Sequence, residues 1–160
     1  KREYLVKRGA KIGENTRLNC KISSFGTEPY LITVGDDCLF AAGVLLITHD
    51  GGIKVLNSLG KFNGERMDKI QPIVIGNNVY IGTGAYIMPG VHIGDNCIIA
   101  AGTVVTKNIP TGSVVTGIPA KVIYDIDTYY ERCVLKGNLY PTGNMTADEK
   151  RRYIEGKLKP

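Results

Sequence analysis

Aliphatic residues return at every sixth position over much of this chain. From Ile75 onward, six consecutive hexads open with Ile75, Ile81, Ile87, Ile93, Ile99 and Val105. Their fifth positions are Val79, Ala85, Val91, Cys97, Thr103 and Ile109, small or medium and mostly β-branched. A shorter series runs earlier through Val6, Ile12 and Leu18, and another through Val34, Phe40 and Leu46. Phase is lost twice, around 23–33 and around 49–72, as loops inserted at the corners of a repeating coil would cause. A period of six is not that of an amphipathic helix, but it is compatible with strand alternation. An aliphatic residue followed by Gly and often Asn or Asp describes a short strand and then a turn. One hexad cannot bury its apolar side alone, so successive coils must cover one another. An ordinary β-sandwich would not keep so strict a spacing, and the pattern predicts an all-β stack of parallel coils.

The repeat stops at Tyr124, which divides the chain into a domain over 1–124 and an extension over 125–160. In the extension Ile126, Tyr129, Tyr130, Cys133 and Val134 fall on one face of a helix, with Gly137 placed to end it. Thr146 and Glu149 have the spacing of a capping box that opens a second helix. These short C-terminal helices are expected to cover the coil stack or a neighbouring subunit.

Composition narrows the reading. Twenty glycines in 160 residues exceed the usual share of about 7% without a collagen period, which fits many similar tight turns. The net charge of +5 is mild and the basic residues are scattered apart from the two ends, so no nucleic-acid partner is expected. Cys20, Cys38, Cys97 and Cys133 show no zinc spacing, and no metal is expected. With no signal peptide apparent, they read as reduced, mostly buried thiols of a cytoplasmic protein. No apolar stretch is long enough for a membrane span. The chain opens at Lys1 rather than Met, which leaves open whether residues precede it.

The segment from Ile75 to Lys121, with Ala100-Ala-Gly-Thr-Val-Val-Thr-Lys107 and Ile118-Pro-Ala-Lys121, resembles the hexapeptide-repeat acyltransferases. Within them it is most similar to the maltose/galactoside and capsular-polysaccharide O-acetyltransferase branch. The resemblance covers roughly residues 6 to 123. It implies a left-handed parallel β-helix of triangular section, a homotrimer with its active site between subunits, and acetyl-CoA as cosubstrate. The left hand comes from the resemblance, since general sheet physics favours right-handed crossovers.

Only two histidines exist. His49 stands where the repeat stops and the longer insertion begins, a place where scaffolds tend to carry reactive side chains. The resemblance assigns it the catalytic role: an imidazole that takes the proton of a sugar hydroxyl attacking the thioester. His92, at the last position of its hexad, reads as an outward corner residue. Asp50 and Glu28 are both candidates to orient His49, Glu28 also as a sugar ligand, although each alone reads more readily as a plain surface carboxylate. By resemblance the Thr83 backbone N–H would hold the oxyanion. The pantetheine arm would run along Ala101, Gly102 and Thr106, with Lys107 and Lys121 near the nucleotide phosphates. The insertion at 49–72, with Lys54, Lys61, Glu65, Arg66 and Asp68, is expected to shape the acceptor pocket.

Rival readings remain at this point. A γ-type carbonic anhydrase, which shares the left-handed β-helix, is rejected because it needs three zinc-binding histidines and this chain has two. An N-acetyltransferase of an amino sugar or nucleotide sugar would keep the same base and cosubstrate. A non-catalytic β-helix scaffold would be free to lose His49 or the Ala101–Lys107 segment, and this chain has both.

Overall fold

The computed structural model describes residues 1–158 and contains two compact units, Lys1–Thr128 and a second beginning at Tyr129. The first unit is a left-handed parallel β-helix with three faces. Its first face stacks β1 (Lys11–Ile12), β3 (Ile32–Val34), β6 (Ile73–Ile75) and β9 (His92–Ile93). The second stacks β2 (Arg17–Leu18), β4 (Leu39–Phe40), β7 (Tyr80–Ile81), β10 (Ile98–Ile99) and β12 (Ser113–Thr116). The third holds β5 (Leu45–Leu46), β8 (Tyr86–Ile87) and β11 (Val104–Val105). All these pairings are parallel; β13 (Lys121–Asp125) then folds back antiparallel on β12 and ends the second face.

Each strand turns one side chain in and the next out, and the first residue of each hexad is the one inside. The interior is therefore three apolar ladders, aliphatic except at Phe40. Ile12, Val34, Ile75 and Ile93 stack on the first face, and Leu18, Phe40, Ile81, Ile99 and Val115 on the second. Leu46, Ile87 and Val105 stack on the third. Nearly all of these side chains are buried in one continuous core.

The corners explain the Gly and Asn signal. Asn15, Asp37, Asn78 and Asn96, each at the fourth position of its hexad, have φ between 53 and 56°. Asn and Asp adopt this left-handed geometry at low cost. At the second position the constraint is space: a Cβ on Gly35 would lie 2.7 Å from the backbone of Gly76 in the next coil. Between these, third-position side chains tie the coils together. The Glu14 N–H donates to Asp36 Oδ1 (2.6 Å), the Asp36 N–H to Asn77 Oδ1 (2.8 Å), and the Asn77 N–H to Asp95 Oδ1 (2.6 Å).

Val6 is not part of the repeat. Residues Arg2–Lys7 form helix α1, in which Leu5 is buried and Val6 is exposed. Among the described residues no coil stacks on the open side of the first one, and Lys1 and Arg2, at the start of α1, supply the partners for its backbone. Lys1 Nζ donates to the carbonyls of Leu18 and Cys20, and the Arg2 guanidinium to those of Ile12 and Gly13.

Both insertions also have structure. The first ends sooner than the repeat suggests, because Ile32 and Thr33 already pair in β3. It contains two 3-10 turns, Ile22–Phe25 and Pro29–Leu31, and stands where the first coil would otherwise have its third face. Phe25 from this insertion is fully buried against Phe40, with ring centroids 6.1 Å apart. The second insertion contains helix α2 (Ile53–Ser58).

The first unit reaches slightly past the expected boundary, with the Ile126 N–H bonded to the Gly112 carbonyl. Helix α3 (Ile126–Lys136) is followed by Gly137 at φ 62°. Helix α4 (Ala147–Lys157) opens on the capping box of Thr146 and Glu149. No helix among the described residues is long and apolar enough to cross a membrane.

All four cysteines are unpaired, and Cys20, Cys38 and Cys97 lie in the core. Burial pushes those three thiols above their ordinary pKa. Cys133 on α3 is only partly covered. A thiol reagent is expected to modify Cys133 in the native protein and the other three only on unfolding, as counted by mass spectrometry. Native labelling of Cys38 or Cys97 would contradict the packing described.

Candidate active site

The second insertion departs from the corner between the third and first faces, and the first insertion returns to that same corner. The chain leaves β5 through Ile47, whose N–H still bonds to the Ile87 carbonyl of the next coil. Residues 48–50 then pair antiparallel with 69–71, the returning limb of the insertion. The Gln71 N–H donates to the Thr48 carbonyl and the Asp50 N–H to the Lys69 carbonyl, both at 2.9 Å. His49 and Ile70 form the bridge between these bonds. The backbone of His49 is thus held by a short ladder rather than carried on a free loop.

Glu28 reaches this ladder from the first insertion, directly ahead of the turn that opens at Pro29. Its Oε2 accepts from Thr48 Oγ1 (2.8 Å) and lies 3.0 Å from His49 Nδ1. Its Oε1 accepts from Thr27 Oγ1 (2.5 Å). The hydroxyl of Thr27 first, then Thr48 and His49, hold this carboxyl below its ordinary range, against the upward push of burial. An ionised carboxylate only accepts hydrogen bonds, so Nδ1 of neutral His49 must carry the proton. Nε2 is then the basic nitrogen, and the imidazole side chain is half exposed. Because the folded pKa of Glu28 is lowered, its stabilising contribution is complete above the unfolded carboxyl value of about 4.3 and is lost as pH falls through the folded value. The pair is intact at neutral pH.

Asp50 does not meet His49. Its Oδ2 lies 2.8 Å from Lys69 Nζ and its Oδ1 accepts from the Gly52 N–H (2.9 Å), which fastens the neck of the insertion. Lys69, then the Gly52 N–H, lowers its pKa. Of the two carboxylates that adjacency and composition left open, the one 21 residues away in sequence makes the contact.

Beside His49 lies an open cavity of about 600 Å³, lined by residues of the second insertion that include Lys54, Asn57, Arg66, Asp68 and Lys69. Lys61 is not among its lining residues. None of Thr83, Ala101, Gly102, Thr106, Lys107 or Lys121 borders it either. Thr83, Ala101 and Gly102 ride the corner between the second and third faces, where the Gly102 N–H donates to the Thr83 carbonyl (2.8 Å). The N–H groups of Thr83 and Ala101 have no partner among the described residues, and both residues are exposed. Thr106 and Lys107 follow β11, Lys121 begins β13, and all three are exposed. His92 faces outward on the first face opposite Val74. Within one chain the imidazole and the free N–H groups therefore sit on corners separated by the width of the third face.

The hydroxyls of Thr27 and Thr48 were not singled out by sequence reasoning. The only available signal was a polar residue at an inward step, two after Leu46, where the neighbouring inward residues are aliphatic.

Comparison with known proteins agrees with this architecture. The family model described as bacterial transferase hexapeptide (six repeats) matches residues 72–107. Protein CapG of Staphylococcus aureus is 40% identical over 158 residues, covering 98% of this chain and 88% of that protein. Galactoside O-acetyltransferase of Escherichia coli (strain K12) is 43% identical over 116 residues, 72% of this chain, which spans only about half (54%) of that enzyme. Among solved structures, a galactoside acetyltransferase in complex with coenzyme A aligns with a TM-score of 0.62 and 34% identity, covering 81% of this chain and 72% of that one. A maltose O-acetyltransferase from Clostridium difficile 630 aligns with a TM-score of 0.56 and 29% identity, covering 78% and 74%.

Proposed function

The chain belongs to the hexapeptide-repeat acyltransferases, and we propose that it is an O-acetyltransferase that moves an acetyl group from acetyl-CoA to a sugar hydroxyl. The observation that carries this reading is the Glu28–His49 contact beside an open polar cavity. A hydroxyl is a poor nucleophile at neutral pH because its proton is tightly held. His49 Nε2, with Nδ1 occupied by Glu28, takes that proton as the new C–O bond forms to the thioester carbonyl carbon. When the C–S bond breaks, His49 returns the proton to the departing thiolate, so the imidazole ends as it began. Glu28 holds one tautomer throughout and stabilises the imidazolium while it exists.

The chain has groups suited to acetyl-CoA. The unpartnered N–H of Thr83 is the donor for the oxyanion, and that of Ala101, with Gly102 and Thr106, offers backbone along which the pantetheine arm can run. Lys107 and Lys121 are exposed cations for its phosphates. The separation of His49 from Thr83 within one chain supports a homotrimer with shared sites. The third face, which lies between them, turns Leu45 and Tyr86 outward, and both are exposed in the single chain. Packing that face on another copy would bury them and set His49 of one copy near the free N–H groups of the next. The resemblance to the capsular-polysaccharide O-acetyltransferases supports an acceptor from surface-polysaccharide synthesis. The four unpaired thiols suit a cytoplasmic setting.

Thiol release from acetyl-CoA, measured against a panel of sugars and amino sugars, tests the reading. Turnover with at least one hydroxyl acceptor is expected. Turnover confined to amino acceptors would replace O-transfer by N-transfer. An absence of both turnover and CoA binding would favour a scaffold.

A further inference from the structure

We propose that Thr48, seconded by Thr27, is a positioning residue that fixes the Glu28 carboxylate and through it the tautomer and orientation of His49. This rests on the reading of His49 as the base.

Thr48 is 1% exposed, in a stretch whose other inward residues, Val44 and Leu46, are aliphatic. Packing alone would be met at this position by Val, which has the same shape. A hydroxyl in its place must find a hydrogen-bond partner or be costly, and the partner it finds is Glu28 Oε2. Thr48 and His49 are consecutive, and consecutive side chains of an extended segment point to opposite sides. One carboxylate oxygen reached by both, at 2.8 and 3.0 Å, must therefore lie at the edge of the segment, between an inward hydroxyl and an outward imidazole. Thr27 occupies the other oxygen, Oε1. With both oxygens bonded, the carboxylate is fixed in position and in plane.

This matters because Glu28 lies between the two turns of the first insertion, and its carboxylate meets the β-helix through Thr48 and His49. Without the Thr48 bond, Oε2 would be held by His49 alone, the group it has to orient. The Thr48 hydroxyl breaks that circularity by anchoring the carboxylate to the coil, while Thr27 holds the other oxygen from within the insertion. The other charged groups on the paired limb, Asp50 and Lys69, are bonded to each other and leave Glu28 to these partners.

The test uses the full chain and two readouts. Thr48→Val keeps shape and burial and removes the hydroxyl. It is expected to lower kcat about tenfold, a loss on the scale of one charge-assisted hydrogen bond, with KM for acetyl-CoA unchanged. Imidazole ¹⁵N NMR above the histidine pKa, with His92 as internal reference, is expected to show His49 protonated at Nδ1 in the wild type. In Thr48→Val it should show a mixture of tautomers. Thr48→Ser retains the hydroxyl and should restore both properties. Thr27→Val alters an exposed residue, leaves the core untouched, and should move the His49 signals in the same direction to a smaller extent. Unchanged His49 signals and kcat in both valine variants would overturn the proposal. Normal turnover by His49→Ala would instead overturn the reading on which it rests.

Discussion

His49→Ala is expected to lower kcat by about 10²–10⁴-fold, the usual contribution of a positioned general base, while leaving CoA binding intact. The two halves of this expectation come from different parts of the coil. The imidazole stands at the corner after the third face and borders the open polar cavity. The unpartnered N–H groups of Thr83 and Ala101 stand at the corner before that face and keep their geometry without it. The loss should therefore fall on the proton-transfer step, with KM for acetyl-CoA little changed. Thiol release measures the first half and calorimetric titration with CoA the second. Turnover at the wild-type rate would remove His49 from the chemistry. Loss of CoA binding would mean that His49 also helps to hold the cosubstrate.

The second large effect concerns stability. Phe40→Ala is expected to destabilise the protein by about 3–5 kcal/mol, as for a fully buried aromatic truncated to Ala, read as a lower urea midpoint. Phe40 is wholly buried in the ladder between Leu18 and Ile81. Its ring lies against that of Phe25, which is also fully buried. Truncation leaves a cavity at the point where the first insertion is anchored to the coils. That insertion carries Thr27 and Glu28, so the variant should also turn over more slowly at temperatures where it remains folded. Thr48→Val, by contrast, should lose rate with little loss of stability. A cost below about 1 kcal/mol, ordinary for a surface substitution, would show that Phe25 does not pack as described.

How far the sequence could be read depended on whether a feature was periodic. Ile75, Ile81 and Ile87 announce one inward residue per short strand. Asn78 and Asn96 announce corners that need a left-handed residue, and both lie at φ near 55°. Gly137 and the Thr146–Glu149 pair mark helix ends by local chemistry alone, and the helices start and stop there. Val6 misled because a single aliphatic residue at the right spacing carries no turn chemistry. The stretch around it became a helix that closes the first coil.

The site was legible in part. That one of two histidines stands where the repeat breaks could be read directly. Which acid would meet it could not. Asp50 is adjacent to His49 but turns to Lys69, while Glu28 arrives from 21 residues away.

The amino-acid order by itself determined the coil: its period, its aliphatic interior, its corners and the places where it is interrupted. These follow from side-chain size and backbone preference within six residues, and each repeat restates them. Only the tertiary structure decided that the two interruptions share a corner, that Thr48 and Thr27 clamp Glu28, and that His49 and Thr83 lie on different edges. Such contacts depend on how many residues each insertion spends before rejoining the stack and on which coil it rejoins. No local preference encodes that, because stacking brings together residues whose separation in sequence is set by the loops rather than by the repeat.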